Sequence, residues 1–254
     1  MNLENAKNEF TKFVRKYDME NEKIKRKYGH SYRVMENTAQ IAKSLNLSEE
    51  EIKIAKLIGL LHDIGHFETI KIKDILKENK KIDRGDLGVE ILKKENYIRK
   101  YIEEDKYDNI ILKAIKNHNK FRIEEGLTEK ELLFAKIIRD ADKLDIFYEG
   151  AEMFWTMSEE IEDVNNSELS EKIIEAFRNN ILIDRKDVTT KADGILNFIG
   201  FIFDINFKYD FEVLKKEDYI NRILNKFEFK NKITASKMIE ARKIANEYIE
   251  KIRV

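Results

Sequence analysis

The sequence predicts an all-α protein, and three observations predict it. The 254-residue chain has no proline and only nine glycines, so the residues that most often interrupt helices are scarce. It is rich in Lys and Glu, which form helices readily. No stretch alternates apolar and polar residues between turn signals at both ends, as half-buried strands do. The nearest exception, FIFDINFKYDF at 201–211, is expected to continue a helix.

Composition and charge exclude several classes of function. The chain has 48 basic and 49 acidic residues, a net charge of −1, so no nucleic-acid polymer is expected as a partner. It has no cysteine, which leaves His, Asp and Glu as the side chains for any metal site. The charged start of the chain does not resemble a signal peptide, and ILNFIGFIFDINF is too short to cross a membrane. We expect a cytoplasmic protein without a membrane partner.

Caps mark the helices of the first part of the chain. Asn46 is expected to close a helix that begins in the twenties. Ser48–Glu51 has the form of a capping box that opens the next helix. This second helix is expected to run through IKIAKLIGLLHDIG, with Gly65 near its end, and a looser stretch at 66–86 is expected to follow.

Further helices follow down to the last residues. DLGVEILKKE reads as a helix, and Asp108 is expected to cap NIILKAIKNHNK. Thr128–Glu131 matches a second capping box, which opens EKELLFAKIIRDADKLDIF. Several helical patterns come after Gly150, the last being ASKMIEARKIANEYIEKIRV. With no internal repeat or low-complexity linker, residues 1–254 are predicted to form a single all-α domain.

Side chains of the kind that bind metals lie on apolar helical stripes. His30, His62, His118 and Asp142 each lie three or four residues from an apolar residue on the same face, and His66 follows His62 by one turn. A lone histidine on such a face is usually a core residue with a satisfied hydrogen bond. Burying this whole set without compensation would cost several kcal/mol per group. A shared cation removes that cost, so the stripes predict a metal site.

The order and local setting of these residues resemble a known family. His30 in GHSYRV, His62-Asp63 in LLHDIGHF and Asp142 in RDADKLD are similar to the His…His-Asp…Asp signature of the HD superfamily of metal-dependent phosphohydrolases. The resemblance covers roughly residues 25–150. It implies a compact helical bundle of the HD-domain type, with a metal-binding core at about 20–150. Additional helices at 151–254 would form a cover that supplies substrate selectivity.

The resemblance also implies a chemistry. His30, His62, Asp63 and Asp142 would hold a divalent ion (Mn, Fe, Zn, Ni, Co or Mg), and metal-bound hydroxide would hydrolyse a phosphate ester or anhydride. The substrate would be a nucleotide or a similar small phosphorylated metabolite. Asp63 is the expected catalytic residue, orienting the attacking water or bridging two metals.

The resemblance implies one ion, with a second possible, because members of the family that bind two ions carry further histidines. His118 matches one such position, but Arg84 stands where another histidine would be sought. His66 could be a ligand to a second metal or a general acid. The candidates for binding a substrate phosphate are Arg33, Arg84, Lys120 and Lys143. Asp140 and Asp145 could accept hydrogen bonds from the ligand histidines, or face solvent.

Two other functions remain open. One is a catalytically degenerate HD module that binds a nucleotide or partner without turnover. The other is a zinc metalloprotease of a variant HDxxH type, which would need one continuous helix through His62 and His66 and a Glu between them. A homo-oligomer is also possible, since apolar faces of the late helices could pair subunits or pack internally.

Overall fold

A computed structural model describes residues 1–76 and 82–251, and the all-α prediction is confirmed for them. These residues form α-helices and short 3-10 segments, with no strand among them. The α-helices are α1 Leu3–Val14, α2 Glu22–Ser44, α3 Glu49–Leu61, α4 Ile64–Leu76, α5 Arg84–Lys93, α6 Asp108–Asn117, α7 Glu129–Glu152, α8 Ser158–Asn165, α9 Glu171–Arg178, α10 Lys191–Ile199, α11 Lys208–Lys216, α12 Tyr219–Leu224 and α13 Lys232–Lys251. The 3-10 segments are Lys94–Lys100, Arg185–Asp187 and Gly200–Asp204.

The chain divides into two compact units, Met1–Asp145 and Ile146–Val254. The first contains α1 to α6 and most of α7, and the second contains α8 to α13. The expectation of a single domain, with a core at about 20–150 and a cover at 151–254, stays a prediction.

The core of the first unit is built on the pair α2 and α3. The two helices approach closely at Gly59, where a Cβ would come within 2.7 Å of the Cα of Met35. Side chains with no or almost no exposed surface line this contact and the neighbouring helices. They include Val34, Ile41, Leu57, Ile58, Leu61, Ile111, Ile115, Phe134 and Ile138.

The predicted boundary after the second helix is wrong. α3 ends at Leu61, and α4 begins at Ile64 and continues to Leu76. The expected loose stretch at 66–86 is therefore helical over 66–76 and again from Arg84, and its residues 77–81 lie outside the described residues. Gly65 lies in the first turn of α4, where a Cβ would come within 2.4 Å of the Arg84 carbonyl oxygen and 2.6 Å of the Gly88 nitrogen. Its lack of a side chain lets α4 pack against α5. In the sequence, a glycine needed for close packing cannot be told from a glycine that ends a helix.

The predicted caps are confirmed at three positions and corrected at one. Asn46 has a left-handed backbone (φ 55°) just after α2. Both reciprocal bonds of the Ser48–Glu51 capping box are present. Thr128 and Glu131 make the same pair of bonds before α7. Asp108, however, makes no capping bond, because it is the first residue of α6 and pairs with Arg99 instead.

The second unit is built around α9, α10 and α13. Its buried residues include Ile173, Ile174 and Phe177 of α9, Leu196 and Ile199 of α10, and Met238 and Ala241 of α13. FIFDINFKYDF forms the end of a 3-10 segment, an extended link at 205–207 and the start of α11, so the described backbone there contains no strand. The last predicted helix is confirmed as α13, and residues 252–254 lie outside the described residues. Over residues 1–76 and 82–251, none of the helices has both the length and the hydropathy needed to cross a membrane.

Candidate metal centre

Four side chains from three places in the first unit meet at one point. His30 comes from α2, His62 and Asp63 from the break between α3 and α4, and Asp142 from α7. The Nε2 atom of His30 lies 3.1 Å from Nε2 of His62 and 3.1 Å from Oδ1 of Asp142. The Nε2 atom of His62 lies 3.7 Å from an oxygen of Asp63 and 3.7 Å from one of Asp142. Atoms bound to one ion at about 2.0–2.2 Å lie roughly 3–4 Å from one another, so this spacing suits a common cation.

The hydrogen bonds of the rings show which nitrogen carries the lone pair. Nδ1 of His62 lies 2.7 Å from the carbonyl oxygen of Gly59, and Nδ1 of His118 lies 2.7 Å from that of Ile115. Because a carbonyl oxygen can only accept, Nδ1 must donate in both rings. In the neutral form that binds a metal, Nε2 of each ring would then carry the lone pair. Both lone pairs belong to buried rings, whose centroids are 5.1 Å apart.

A cation is the simplest partner for two of these atoms. Nε2 of His118 lies 3.3 Å from Oδ1 of Asp63. Both atoms are buried, and within the described residues neither has a hydrogen-bond partner. Two acceptors that face one another without a donor cost free energy on burial. A metal ion would satisfy both, so the donor set fits one. His62, His118 and Asp142 form a group whose donor atoms all lie within 4.8 Å of one another, as do His30, His62 and Asp63.

Burial and neighbouring groups shift the pKa values of His30 and His62 in opposite directions. Burial lowers the pKa of His62 to about 3. Burial and the charge of Lys27 also act to lower the pKa of His30, but hydrogen bonds with Asp142 and Asp145 outweigh them and raise it to about 9. Without an ion, these contacts favour the protonated form of His30.

Both carboxyl groups stay ionised in spite of their burial. Burial acts to raise the pKa of Asp63, but the charges of Lys27 and Arg84 outweigh it and hold that pKa well below its ordinary value. Burial acts to raise the pKa of Asp142 too, but its hydrogen bond with His30 and the charge of His62 lower it strongly. Two carboxylates are therefore available as ligands across the physiological pH range.

The buried carboxylate of Asp145 forms a hydrogen bond with Nδ1 of His30. Oδ2 of Asp145 lies 2.6 Å from Nδ1 of His30, and both side chains are buried. Arg33 donates to both oxygens of Asp145, at 2.5 and 2.9 Å. The structure thus places the guanidinium of Arg33 on Asp145, and its predicted contact with a substrate phosphate stays a prediction. The suggestion that Asp145 could bond a ligand histidine agrees with this geometry, and Asp140 is buried rather than facing solvent.

His66 and Arg84 lie together at one side of Asp63. Nδ1 of His66 is 3.4 Å from Oδ2 of Asp63 and accepts a hydrogen bond from Nη1 of Arg84 at 2.9 Å. The same Arg84 nitrogen lies 3.6 Å from Oδ1 of Asp63. Burial, together with the charges of Lys27 and Arg84, lowers the pKa of His66. The charge of Asp63 raises the pKa of Arg84.

The two predicted lysines have partners of other kinds. Lys120 pairs with Asp83 and Asp86 next to the start of α5, at 2.8 and 2.6 Å. Lys143 is buried, and its ammonium donates to the carbonyl oxygen of Arg139 at 3.3 Å. Their predicted contact with a phosphate stays untested.

Sequence reasoning missed two residues of this centre. Lys27 is buried, and its Nζ lies 2.8 Å from Oδ2 of Asp63. Its position one turn before His30 on α2 was the available signal. Arg139 is also buried and donates to the carbonyl oxygens of Asn117 and Lys120, at 3.0 and 2.5 Å. It thereby ties the end of α6, next to His118, to α7.

A family comparison accounts for this geometry. The family model of the HD domain matches residues 28–146. Residues 28–146 of this chain are an HD domain. The HD domain contains His30, His62, Asp63, His118 and Asp142, whereas Lys27 lies just before the matched residues. No curated protein and no solved structure matches the chain significantly.

The geometry also bears on the metalloprotease alternative. A zinc-protease helix would carry both histidines of its motif on one continuous helix. In this HD domain α3 ends at Leu61 and α4 begins at Ile64, so His62 lies in the break between the helices and His66 lies in α4. The HD domain instead offers His and Asp side chains that could hold a metal ion, drawn from α2, the α3–α4 break, α6 and α7.

Proposed function

We propose that the chain is a metal-dependent phosphohydrolase whose ion is held by His30, His62, Asp63 and Asp142. The observation that carries the proposal is the convergence of imidazole nitrogens and carboxylate oxygens, among which Nε2 of His118 faces Oδ1 of Asp63 with no hydrogen-bond donor between them in the described residues. A structural core would pair such groups with hydrogen-bond donors. The HD family of residues 28–146 supports the same reading.

Each residue of the centre would have a distinct role in hydrolysis. A bound divalent ion would acidify a water molecule and polarise a phosphoryl oxygen. Asp145 would keep His30 oriented through its bond to Nδ1, and the Gly59 carbonyl would do the same for His62. Asp63 would accept a hydrogen bond from the attacking water and so aim it. Asp142, whose side chain is 14% exposed, would be the least buried of the four ligands.

The substrate would be a nucleotide or a similar small phosphorylated metabolite. A neutral overall charge leaves binding to the local cations of the site, and these suit a small anion better than a long polyanion. The four histidines and the absence of cysteine favour Mn, Fe, Zn, Ni, Co or Mg over metals that prefer sulfur.

Metal analysis combined with a screen for phosphate release tests the proposal. The purified chain is loaded with each candidate ion and assayed for orthophosphate release from mononucleotides, dinucleotides and sugar phosphates. We expect wild type and the surface control Asp187→Asn, whose carboxylate pairs with Lys172, to bind metal and release phosphate. Asp63→Ala and Asp142→Asn should lose both properties. Metal binding without hydrolysis of any phosphate would favour a ligand-binding module instead.

A further inference from the structure

Asp63 lies between two fixed cations. On one side the ammonium of Lys27 is 2.8 Å from Oδ2. On the other, Nη1 of Arg84 is 3.6 Å from Oδ1 and is held by its hydrogen bond to His66. A carboxylate that binds a metal ion does not need two further cations for its own neutralisation, so these groups call for another explanation.

Burial of the charged side chain costs more free energy for Lys27 than for Arg84. Its side chain is 10% exposed, and lysine is rarely buried unless its charge is paired. An ammonium group has three donors, and Asp63 is the acceptor that residues 1–76 and 82–251 provide for it. Once Asp63 also binds an ion, that single bond would compensate the buried charge poorly. A second anion at this place would compensate it well.

The charges of the centre define that anion. The two carboxylates, Asp63 and Asp142, cancel one divalent ion, and the histidines are neutral when they coordinate. Arg33 and Asp145 cancel one another. The charges of Lys27 and Arg84 remain, and together they amount to two positive charges. A ligand with two negative charges would therefore offset the charges of Lys27 and Arg84.

This inference rests on the proposed function and names its substrate class. We propose that Lys27 and Arg84 bind the phosphoryl group of the substrate, and that the centre takes the dianionic end of a phosphomonoester beside a single divalent ion. The planar guanidinium of Arg84 can donate hydrogen bonds to two phosphoryl oxygens, while the ammonium of Lys27 contributes a point charge.

The exposure of the side chains supports an end-on approach. The side chain of Arg84 is 35% exposed and that of His66 22%, whereas those of Lys27 and Asp63 are almost closed. The terminal phosphate would pass Arg84 and reach Lys27 at the bottom. A phosphodiester has only one negative charge, and its second substituent would lie against the closed end.

The test compares two esters and one inorganic ion on the manganese-loaded full chain. p-Nitrophenyl phosphate is a dianionic monoester, and bis(p-nitrophenyl) phosphate is a monoanionic diester with the same leaving group. Orthophosphate binding is measured by calorimetry, and bound manganese by elemental analysis. The variants are Lys27→Met, Lys27→Arg and Arg84→Met, and the control is Lys113→Met, which removes a surface lysine paired with Glu124.

We expect one manganese ion per chain in wild type and in all variants. The value of kcat/KM should be about 100-fold higher for the monoester, since two charge-assisted contacts at roughly tenfold each would be lost with the diester. Lys27→Met and Arg84→Met should each weaken orthophosphate binding by about tenfold. Lys27→Arg should recover part of that loss, and Lys113→Met should behave as wild type.

Three results would overturn the inference: two manganese ions per chain, equal rates on both esters, or unchanged phosphate affinity in both methionine variants. Phosphate binding is measured without turnover, so it separates this inference from the proposed function. If neither ester is hydrolysed while the variants still lose phosphate, the phosphohydrolase proposal fails and the anion-binding pair stands.

Discussion

At the scale of single residues, the centre depends on which way each imidazole is turned. His62 and His118 each donate from Nδ1 to a backbone carbonyl of the helix that ends just before them, and Nδ1 of His30 bonds Asp145. All three Nε2 atoms are consequently directed at Asp63 and Asp142. The groups that bond Nδ1 are therefore as important for ion binding as the imidazoles themselves, because they fix the orientation and tautomer of each ring before an ion binds.

Replacing Asp145 tests this requirement. In Asp145→Ala the ring of His30 loses its acceptor and Arg33 loses its partner. We expect the affinity for Mn²⁺ to fall about 10- to 100-fold while the helical circular-dichroism spectrum stays unchanged. Arg33→Met, which keeps the carboxylate behind His30, should cost less, and an equal loss in both variants would contradict this role of Asp145.

The sequence was sufficient to predict the residue types at this scale but not their partners. The apolar stripes led directly to His30, His62, His118 and Asp142. Lys27 escaped notice because the chain has 48 basic residues, and no local pattern separates a buried ammonium from solvated ones. The partner of Arg33 was missed because Asp145 lies more than a hundred residues away along the chain.

At the scale of helices, the break between α3 and α4 places His62 and Asp63. Gly65, just after the break, makes room for the backbone of α5. The sequence could not distinguish this close contact from a helix end, because a glycine satisfies both needs. The capping boxes at Ser48–Glu51 and Thr128–Glu131 were predictable, since all their contacts lie within four residues.

Gly65→Ala should destabilise the first unit. Its Cβ would meet backbone atoms of Arg84 and Gly88, which cannot move aside as a flexible side chain could. We expect the free energy of unfolding to fall by about 1–3 kcal/mol, measured by urea denaturation. Gly194→Ala in α10 is the matched control, because nothing lies within 4 Å of its added Cβ. That variant should gain about 0.5–1 kcal/mol from its higher helix propensity.

The capping box before α3 should contribute a pH-dependent share of stability. Hydrogen bonds from Lys130 and Ser48 lower the pKa of Glu51 from 4.5 to about 2. A lowered pKa stabilises the fold above pH 4.5, and this stability is lost as the pH falls towards 2. Glu51→Gln should therefore be less stable than wild type at pH 6, by less than about 1 kcal/mol for so exposed a pair. Urea titrations between pH 6 and pH 3 should show the two proteins converging, and a constant difference would contradict the assignment.

At the scale of the whole molecule, the candidate ligands are confined to one part of the chain. His30, His62, Asp63, His118 and Asp142 all lie within Met1–Asp145. The family match also stops at residue 146. Fold class and family could be predicted because they depend on periodic patterns and on a few motifs. The division at residue 145 could not, because no composition change marks it and α7 runs straight through it.

Metal removal should act mainly on that first unit. An ion at 100 times its Kd stabilises the state that binds it by about 2.7 kcal/mol. Treatment with EDTA should therefore speed amide hydrogen exchange in peptides from α2, α3 and α7, and have far less effect on peptides from α9 and α13. Equal acceleration across both units would show that the ion is not held by residues of the first unit alone.

Arg139 has one more consequence for ion binding. It lies on α7 one turn before Asp142, and it grips the carbonyl groups that flank His118. Two of the candidate ligands are thus braced against each other by a single guanidinium. The conformational entropy of these two ligands is lost when the chain folds and not when the ion binds. An arriving ion would therefore meet donors that are already immobilised.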